Sequence, residues 1–98
     1  MATLKVRVPA TVDVTALQSE IVTALADRLR DDHGYSLVGN SADSGEYRLA
    51  PSGSIVVRSQ GDVVTVKLRG VDADAGDLFT VVSGELEQRH DGVHIEID

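Results

Sequence analysis

Cysteine is absent from this chain, which excludes disulfide bonds and thiolate chemistry. Aromatic residues are scarce, because only Tyr35, Tyr47 and Phe79 occur. The core must therefore be built from Val, Leu, Ile and Ala, and the hydrophobic fraction of 42% is sufficient for one. The 98 residues predict one domain spanning residues 1–98.

The chain also has no hydrophobic run near the roughly 18 residues that a bilayer-spanning helix needs. The sequence therefore predicts no membrane association. The opening residues, Met-Ala-Thr-Leu-Lys, lack the apolar core of a signal peptide. We accordingly expect a cytoplasmic location.

The chain has few basic residues: it contains 9 Lys and Arg but 16 Asp and Glu, and its net charge is −7. Only Lys5 and Lys67 are lysines, and the arginines are dispersed along the chain. An acidic protein repels phosphate backbones, so we expect no direct binding of nucleic acid. The acidity is typical of a soluble protein; adaptation to high salt and docking to a basic partner are the alternatives.

Alternating apolar and polar residues predict strands, and apolar residues at helical spacing predict two helices. The predicted elements are, in chain order, a strand at Thr3–Val8, a helix capped at Asp13 or Thr15 and ended by Gly34, strands at Tyr35–Val38, Glu46–Ala50, Ile55–Ser59 and Val63–Arg69, a helix at Asp74–His90, and a strand at Val93–Ile97. The turn-forming residues of Gly39–Gly45 predict a loop. In the second helix, Gly84 is unfavourable and is interpreted as permitting close approach to the sheet.

The order β-α-β-β-β-β-α-β with two amphipathic helices predicts an α+β fold. Both helices would cover one face of a mostly antiparallel sheet in a two-layer sandwich. The opposite face would carry Thr, Lys, Arg, His and Glu.

No catalytic or cofactor-binding motif is present. The chain has neither a phosphate-binding glycine loop nor a G-x-S-x-G elbow, so no catalytic residue and no cofactor are predicted. The spacing Asp72-x-Asp74-x-x-Asp77 lacks the loop Gly and the terminal bidentate Glu of a calcium loop in register. Helix capping explains these acids, and no metal ligand is predicted.

Three histidines are the candidate titrating groups: His33, His90 and His94. His90 and His94 have the spacing of many zinc pairs, but a helix end and a strand separate them, so the geometry of a helical pair is lost. His33 and His90 fall in last helical turns, where the dipole favours a cationic imidazole. His94 falls on the polar face of the last strand.

The strands at the two ends of the chain alternate cleanly and could pair with another copy if they lie at sheet edges. Val93, Ile95 and Ile97 on the last strand are the candidate interface residues. A central position in the sheet is the alternative. Because a small domain gains stability by burying further surface, we expect a homodimer.

The stretch Glu46–His90 resembles the C-terminal part of a small uncharacterised bacterial domain that occurs alone or beside siderophore-interacting flavin reductases. The similarity lies in a strand, a glycine turn, the hairpin pattern V-x-x-x-x-x-D-x-V-x-V-x-L, and D-A-D opening a helix that ends near L-E-x-R/H. The leading strand Leu4–Val8 and the loop Gly39–Gly45 have no counterpart. The resemblance implies mainly the fold, with a link to iron or siderophore biology, and no functional residue is carried over.

These observations predict a non-enzymatic protein-interaction module, such as an adaptor, accessory subunit or inhibitor, that associates with itself. The alternative is a small ligand-binding or enzymatic domain that uses the cleft between helices and sheet, with a histidine as its titrating group. Convergence of two histidines and an acid within about 4 Å, near a pocket, would favour the alternative.

Overall fold

The structure, a computed structural model, describes residues 2–41 and 45–98. Its elements are β1 (Thr3–Arg7), α1 (Val14–His33), β2 (Ser36–Ser41), β3 (Glu46–Ala50), β4 (Ser54–Gln60), β5 (Val63–Arg69), α2 (Ala75–Arg89) and β6 (His94–Ile97). The predicted order β-α-β-β-β-β-α-β and the α+β class are confirmed.

The six strands form one antiparallel sheet in the order β2-β3-β4-β5-β1-β6. The meander β2 to β5 places each strand beside its neighbour in the chain. β1 then lies between β5 and β6, so the opening strand is interior rather than an edge. The described edges are β2 and β6.

Both helices begin at an aspartate whose side chain accepts a backbone hydrogen bond. Asp13 caps α1 through the amide of Thr15, and Asp74 caps α2 through the amide of Asp77. α1 ends at Gly34, whose φ of 74° is left-handed. In this conformation, backbone amides at the cap donate hydrogen bonds to the last carbonyls of the helix. These caps agree with the sequence prediction.

The core lies between the helices and one face of the sheet and is almost entirely aliphatic. Phe79 is the largest fully buried side chain. Tyr35, only 6% exposed, accepts a hydrogen bond from the amide of Asp72 at 2.8 Å through its hydroxyl, which ties the start of β2 to the segment before α2. A buried phenol needs such a partner.

Two local predictions are corrected by the structure. β2 extends through Gly39 to Ser41, within the predicted loop, and has a register shift between Leu37 and Gly39. A bulge lets an edge strand accommodate turn-forming residues; Ala42, Asp43 and Ser44 lie outside the described residues. Gly84 does not approach the sheet: it is exposed, and a Cβ there would meet nothing within 4 Å.

β4 and β5 form a hairpin. Gln60 pairs with Val63, which leaves Gly61 and Asp62 as a two-residue turn. Gly61 has a φ of 62°, which such a turn requires at its first position and which glycine adopts without strain.

Candidate interaction surface

The face of the sheet opposite the helices is open, and strand alternation determines which residues occupy it. Leu4, Val6, Val64 and Val66 are buried beneath the helices, so their neighbours along β1 and β5 point to the other side. Ile55 and Val57 of β4 are also buried beneath the helices, so their neighbours along β4 point to the same outward side. We call the outward side the open face.

The open face carries six of the nine Lys and Arg residues of the chain, all exposed. They are Lys5 and Arg7 on β1, Arg48 on β3, Arg58 on β4, and Lys67 and Arg69 on β5. The acids beside them are few: Glu46, Glu96 and Asp98. An acidic protein thus has one cationic side.

The helical layer has the opposite balance. Nine of the sixteen acids lie in the two helices or at their N-caps, against three of the nine cations. Those three cations are all ion-paired within the molecule. Arg28 contacts Glu85 at 2.6 Å, Arg30 contacts Asp27 and Asp31 at 3.5 and 3.3 Å, and Arg89 contacts Glu20 at 3.0 Å.

The cations of the open face are mostly unpaired. Lys5 lies 3.4 Å from the carboxylate of Asp98. Within residues 2–41 and 45–98, the other five have no carboxylate within 4 Å. Their charge is therefore directed to solvent and is available to an anion from outside the molecule.

Two shallow depressions mark the open face. One, of about 380 Å³, is lined by Arg58, Lys67 and Arg69 together with Glu46 and Val56 and polar neighbours. Cross-strand register explains it, because Val56 sits opposite both Glu46 and Lys67 and leaves a low floor between longer side chains.

The second depression, of about 340 Å³, lies toward the β6 edge. It is lined by Lys5, Arg7, Val63, His94 and Glu96. Arg7 pairs with His94, and Lys5 pairs with Glu96, across the two strands.

The sequence analysis predicted that this face carries Thr, Lys, Arg, His and Glu, but it did not identify the face as a candidate site, because the arginines are dispersed along the chain. A signal was nevertheless present: within β5 and β1 the cations share the polar face of the alternation with period two. What could not be read was the strand order, which places β1 beside β5 and so gathers Lys5, Arg7, Lys67 and Arg69.

The three histidines do not converge. His90, the C-cap of α2, lies with its Nε2 2.7 Å from Glu20 of α1. His94 is exposed on the open face, beside Arg7. His33 is exposed in the last turn of α1, beside a groove that also contains Asp32 and Asp77. Among the described residues, only His90 has an acid within 4 Å.

The contact of His90 with Glu20 is a link between the helices. Arg89 donates to the other carboxylate oxygen of Glu20 at 3.0 Å. The hydrogen bond with His90 is the main cause that lowers the pKa of Glu20 below its ordinary value of 4.5; partial burial opposes it, and Arg89 lowers it further. In the same layer, the hydrogen bond with Glu85 raises the pKa of Arg28.

The candidate interface residues lie on the helical side of the β6 edge. Val93, just before β6, and Ile95 are partly buried and pack against the core. Ile97 is 39% exposed. β6 is an edge strand, so its outer backbone, more than these side chains, is open to a partner.

No group of three or more His, Asp or Glu in the described part of the chain is arranged to hold a metal ion. None of the helices in those residues has the length and apolar character needed to cross a membrane.

Comparison of the chain with protein-family models, with curated proteins and with solved structures found no match. The resemblance of Glu46–His90 to the small bacterial domain stays a prediction.

Proposed function

We propose that the protein is a non-enzymatic interaction module whose open face binds an acidic segment of a partner protein. The observation that carries this proposal is the contrast between the two sides of the molecule. Every helical cation is paired internally, whereas five of the six cations on the open face have no ion pair among the described residues. Arg is enriched in protein interfaces, where its side chain supplies both charge and contact area.

A protein partner fits this surface better than a nucleic acid does. Proteins that bind single-stranded nucleic acid stack its bases on aromatic side chains. Tyr35 and Phe79 are buried and Tyr47 packs against the core, so the open face has no such platform. A short acidic segment interacts mainly with the local cations, because salt screens charges beyond about 8 Å. The net charge of −7 therefore does not prevent its binding.

The apolar residues between the cations support the same choice. Val56 and Val63 lie on the open face between the charged side chains and are only partly buried. A segment that contains both acidic and apolar residues would contact both kinds of group.

The test is fluorescence anisotropy with a labelled peptide that contains Glu and Val in equal number, at two salt concentrations. In the variant Arg58→Gln/Lys67→Gln we expect about a tenfold loss of affinity, since two charge contacts are removed. The matched control is Thr23→Glu/Gln88→Glu, which lowers the net charge equally but on exposed positions of the two helices. The control should bind almost as wild type.

Equal binding by both variants would contradict the proposal, because net charge alone would then explain it. Absence of peptide binding by the wild type would also contradict it. Tight binding of a labelled single-stranded oligonucleotide, with none of the peptide, would assign the open face to nucleic acid instead.

A further inference from the structure

The outer backbone of β6 is an unpaired hydrogen-bonding edge. Thr3 and Asp98 exchange both backbone hydrogen bonds, at 3.2 and 3.0 Å. In an antiparallel pair the bonded residues alternate, so His94 and Glu96 also direct their backbone groups toward β1. The amides and carbonyls of Ile95 and Ile97 therefore point away from the sheet.

β6 lacks the devices that protect the other edge. β2 has a register shift between Leu37 and Gly39, and bulges of this kind disrupt edge pairing. β6 keeps a continuous register with β1 from His94 to Ile97 and contains no proline. Of the two described edges, β6 is the one suited to accept another strand.

We propose that two copies of this protein pair through β6, antiparallel, about a twofold axis at Ile95. In this register Ile95 faces Ile95 of the second copy as a hydrogen-bonded pair. His94 faces Glu96 of the second copy on the open side, and Val93 faces Ile97 on the helical side. Every cross-strand pair is then apolar with apolar or base with acid. The Ile95 pair lies on the axis and occurs once, and the other two pairs each occur twice by symmetry.

The neighbouring registers are less favourable. A shift by two residues in one direction sets Glu96 against Glu96 of the second copy, and like charges directly opposite are destabilising. The same shift in the other direction sets His94 against His94 and leaves Ile97 beyond the paired region. A shift by one residue matches outward backbone groups with inward ones and removes the hydrogen bonds.

Pairing at β6 would join the two open faces into one twelve-stranded surface. Lys5 and Arg7 lie on β1, next to β6, so the cations of both copies would flank the seam. A partner segment could then contact both copies. The pairing itself does not depend on the proposed function, because only β6 carries it.

The contact is small. About five residues a side take part, against 20–30 in an interface of standard size, so we expect a dissociation constant of roughly 10⁻⁵ to 10⁻³ M. Sedimentation velocity from about 10 µM to about 1 mM covers this range. A monomer–dimer equilibrium is expected for the wild type.

The first pair of variants tests the backbone contact. Ile97→Pro removes an outward amide and should weaken the dimer at least about tenfold, because that amide is used twice. Ile97→Ala is the matched control: it removes most of the side chain but keeps the amide, and it should dimerise more tightly than the proline variant. Thermal melting confirms that each variant is folded.

The second pair tests the register. Glu96→Lys sets a lysine against His94 at both ends of the seam, and we expect about a tenfold weaker dimer. The double variant His94→Glu/Glu96→Lys sets Glu against Lys and should restore it. This pair still tests dimerisation through β6 if Ile97→Pro does not fold.

A wild type that stays monomeric at every concentration would overturn the proposal. A dimer unaffected by Ile97→Pro would place the contact elsewhere. Failure of the double variant to recover would reject the register centred on Ile95. Peptide binding to the open face is measured separately with dilute, monomeric protein, so failure of the dimer and failure of the proposed function are distinguishable.

Discussion

The carboxylate of Glu20 in α1 lies 2.7 Å from Nε2 of His90 at the end of α2, and its second oxygen accepts a hydrogen bond from Arg89 at 3.0 Å. The Glu20 side chain is 25% exposed, so the contact is partly shielded from water. The two helices are joined by this cluster and by the pair of Arg28 with Glu85. These acids and bases link α1 to α2 within the helical layer.

Replacement of Glu20 by Gln should make the free energy of unfolding vary less with pH in the acid range. The pKa of Glu20 is lowered in the folded protein, so its carboxylate stabilises the fold above its ordinary pKa of 4.5. That stabilisation is lost as the pH falls through the lower folded pKa. We expect the free energy of unfolding of the wild type to exceed that of Glu20→Gln by about 1 kcal/mol at pH 7. This difference should shrink below about pH 4.5.

Urea unfolding at a series of pH values between neutral and strongly acid measures this difference. Glu87→Gln is the matched control, since Glu87 is an exposed glutamate of α2 without an ion pair among the described residues. A difference for Glu20→Gln that grows as the pH falls below about 4.5 would contradict the prediction.

Replacement of Gly84 by Ala should stabilise the protein by about 1 kcal/mol, because Gly is unfavourable in a helix interior and the site is open. Gly76→Ala is the comparison, where the new Cβ would lie 3.3 Å from Oδ1 of Asp74 and the gain should be smaller. Chemical denaturation measures both. A destabilised Gly84→Ala would restore the interpretation that Gly84 permits close packing.

Replacement of Gly53 by Ala should destabilise the protein by about 3 kcal/mol. Gly53 has a φ of 90°, and a Cβ there would lie 2.6 Å from the carbonyl oxygen of Arg69 and 2.8 Å from that of Gly70. Gly39→Ala is the control, because nothing lies within 4 Å of its Cβ position. Equal unfolding midpoints for the two variants would show that the turn before β4 relaxes freely.

Replacement of Ser83 by Ala should stabilise the protein by about 1 kcal/mol. Ser83 of α2 is 7% exposed, and its hydroxyl has no hydrogen-bond partner among the described residues. A buried hydroxyl without a partner is costly, and Ala is the better helix former. Ser19→Ala, at an exposed position of α1, measures the helix preference alone. A strongly destabilised Ser83→Ala would indicate a buried water that satisfies the hydroxyl.

Local patterns were sufficient for the elements and their caps. The alternation in Val63–Arg69 and the helical spacing around Leu17 and Ile21 report which side of each element is buried. Asp13 and Gly34 bound α1 for reasons that act within a few residues. β2 was misjudged because its bulge and its edge position make residues such as Gly39 tolerable in a strand.

The candidate site depended on contacts between residues distant in the chain. The sequence by itself determined the class of fold, the aliphatic core, and that Lys and Arg would occupy the polar side of each strand, because side-chain periodicity is a local property of the backbone. Only the tertiary structure decided that β1 lies inside the sheet and β6 at its edge. That order gathers dispersed cations into one face and leaves Ile95 and Ile97 with outward backbone groups. Strand pairing is a non-local choice that no single segment encodes.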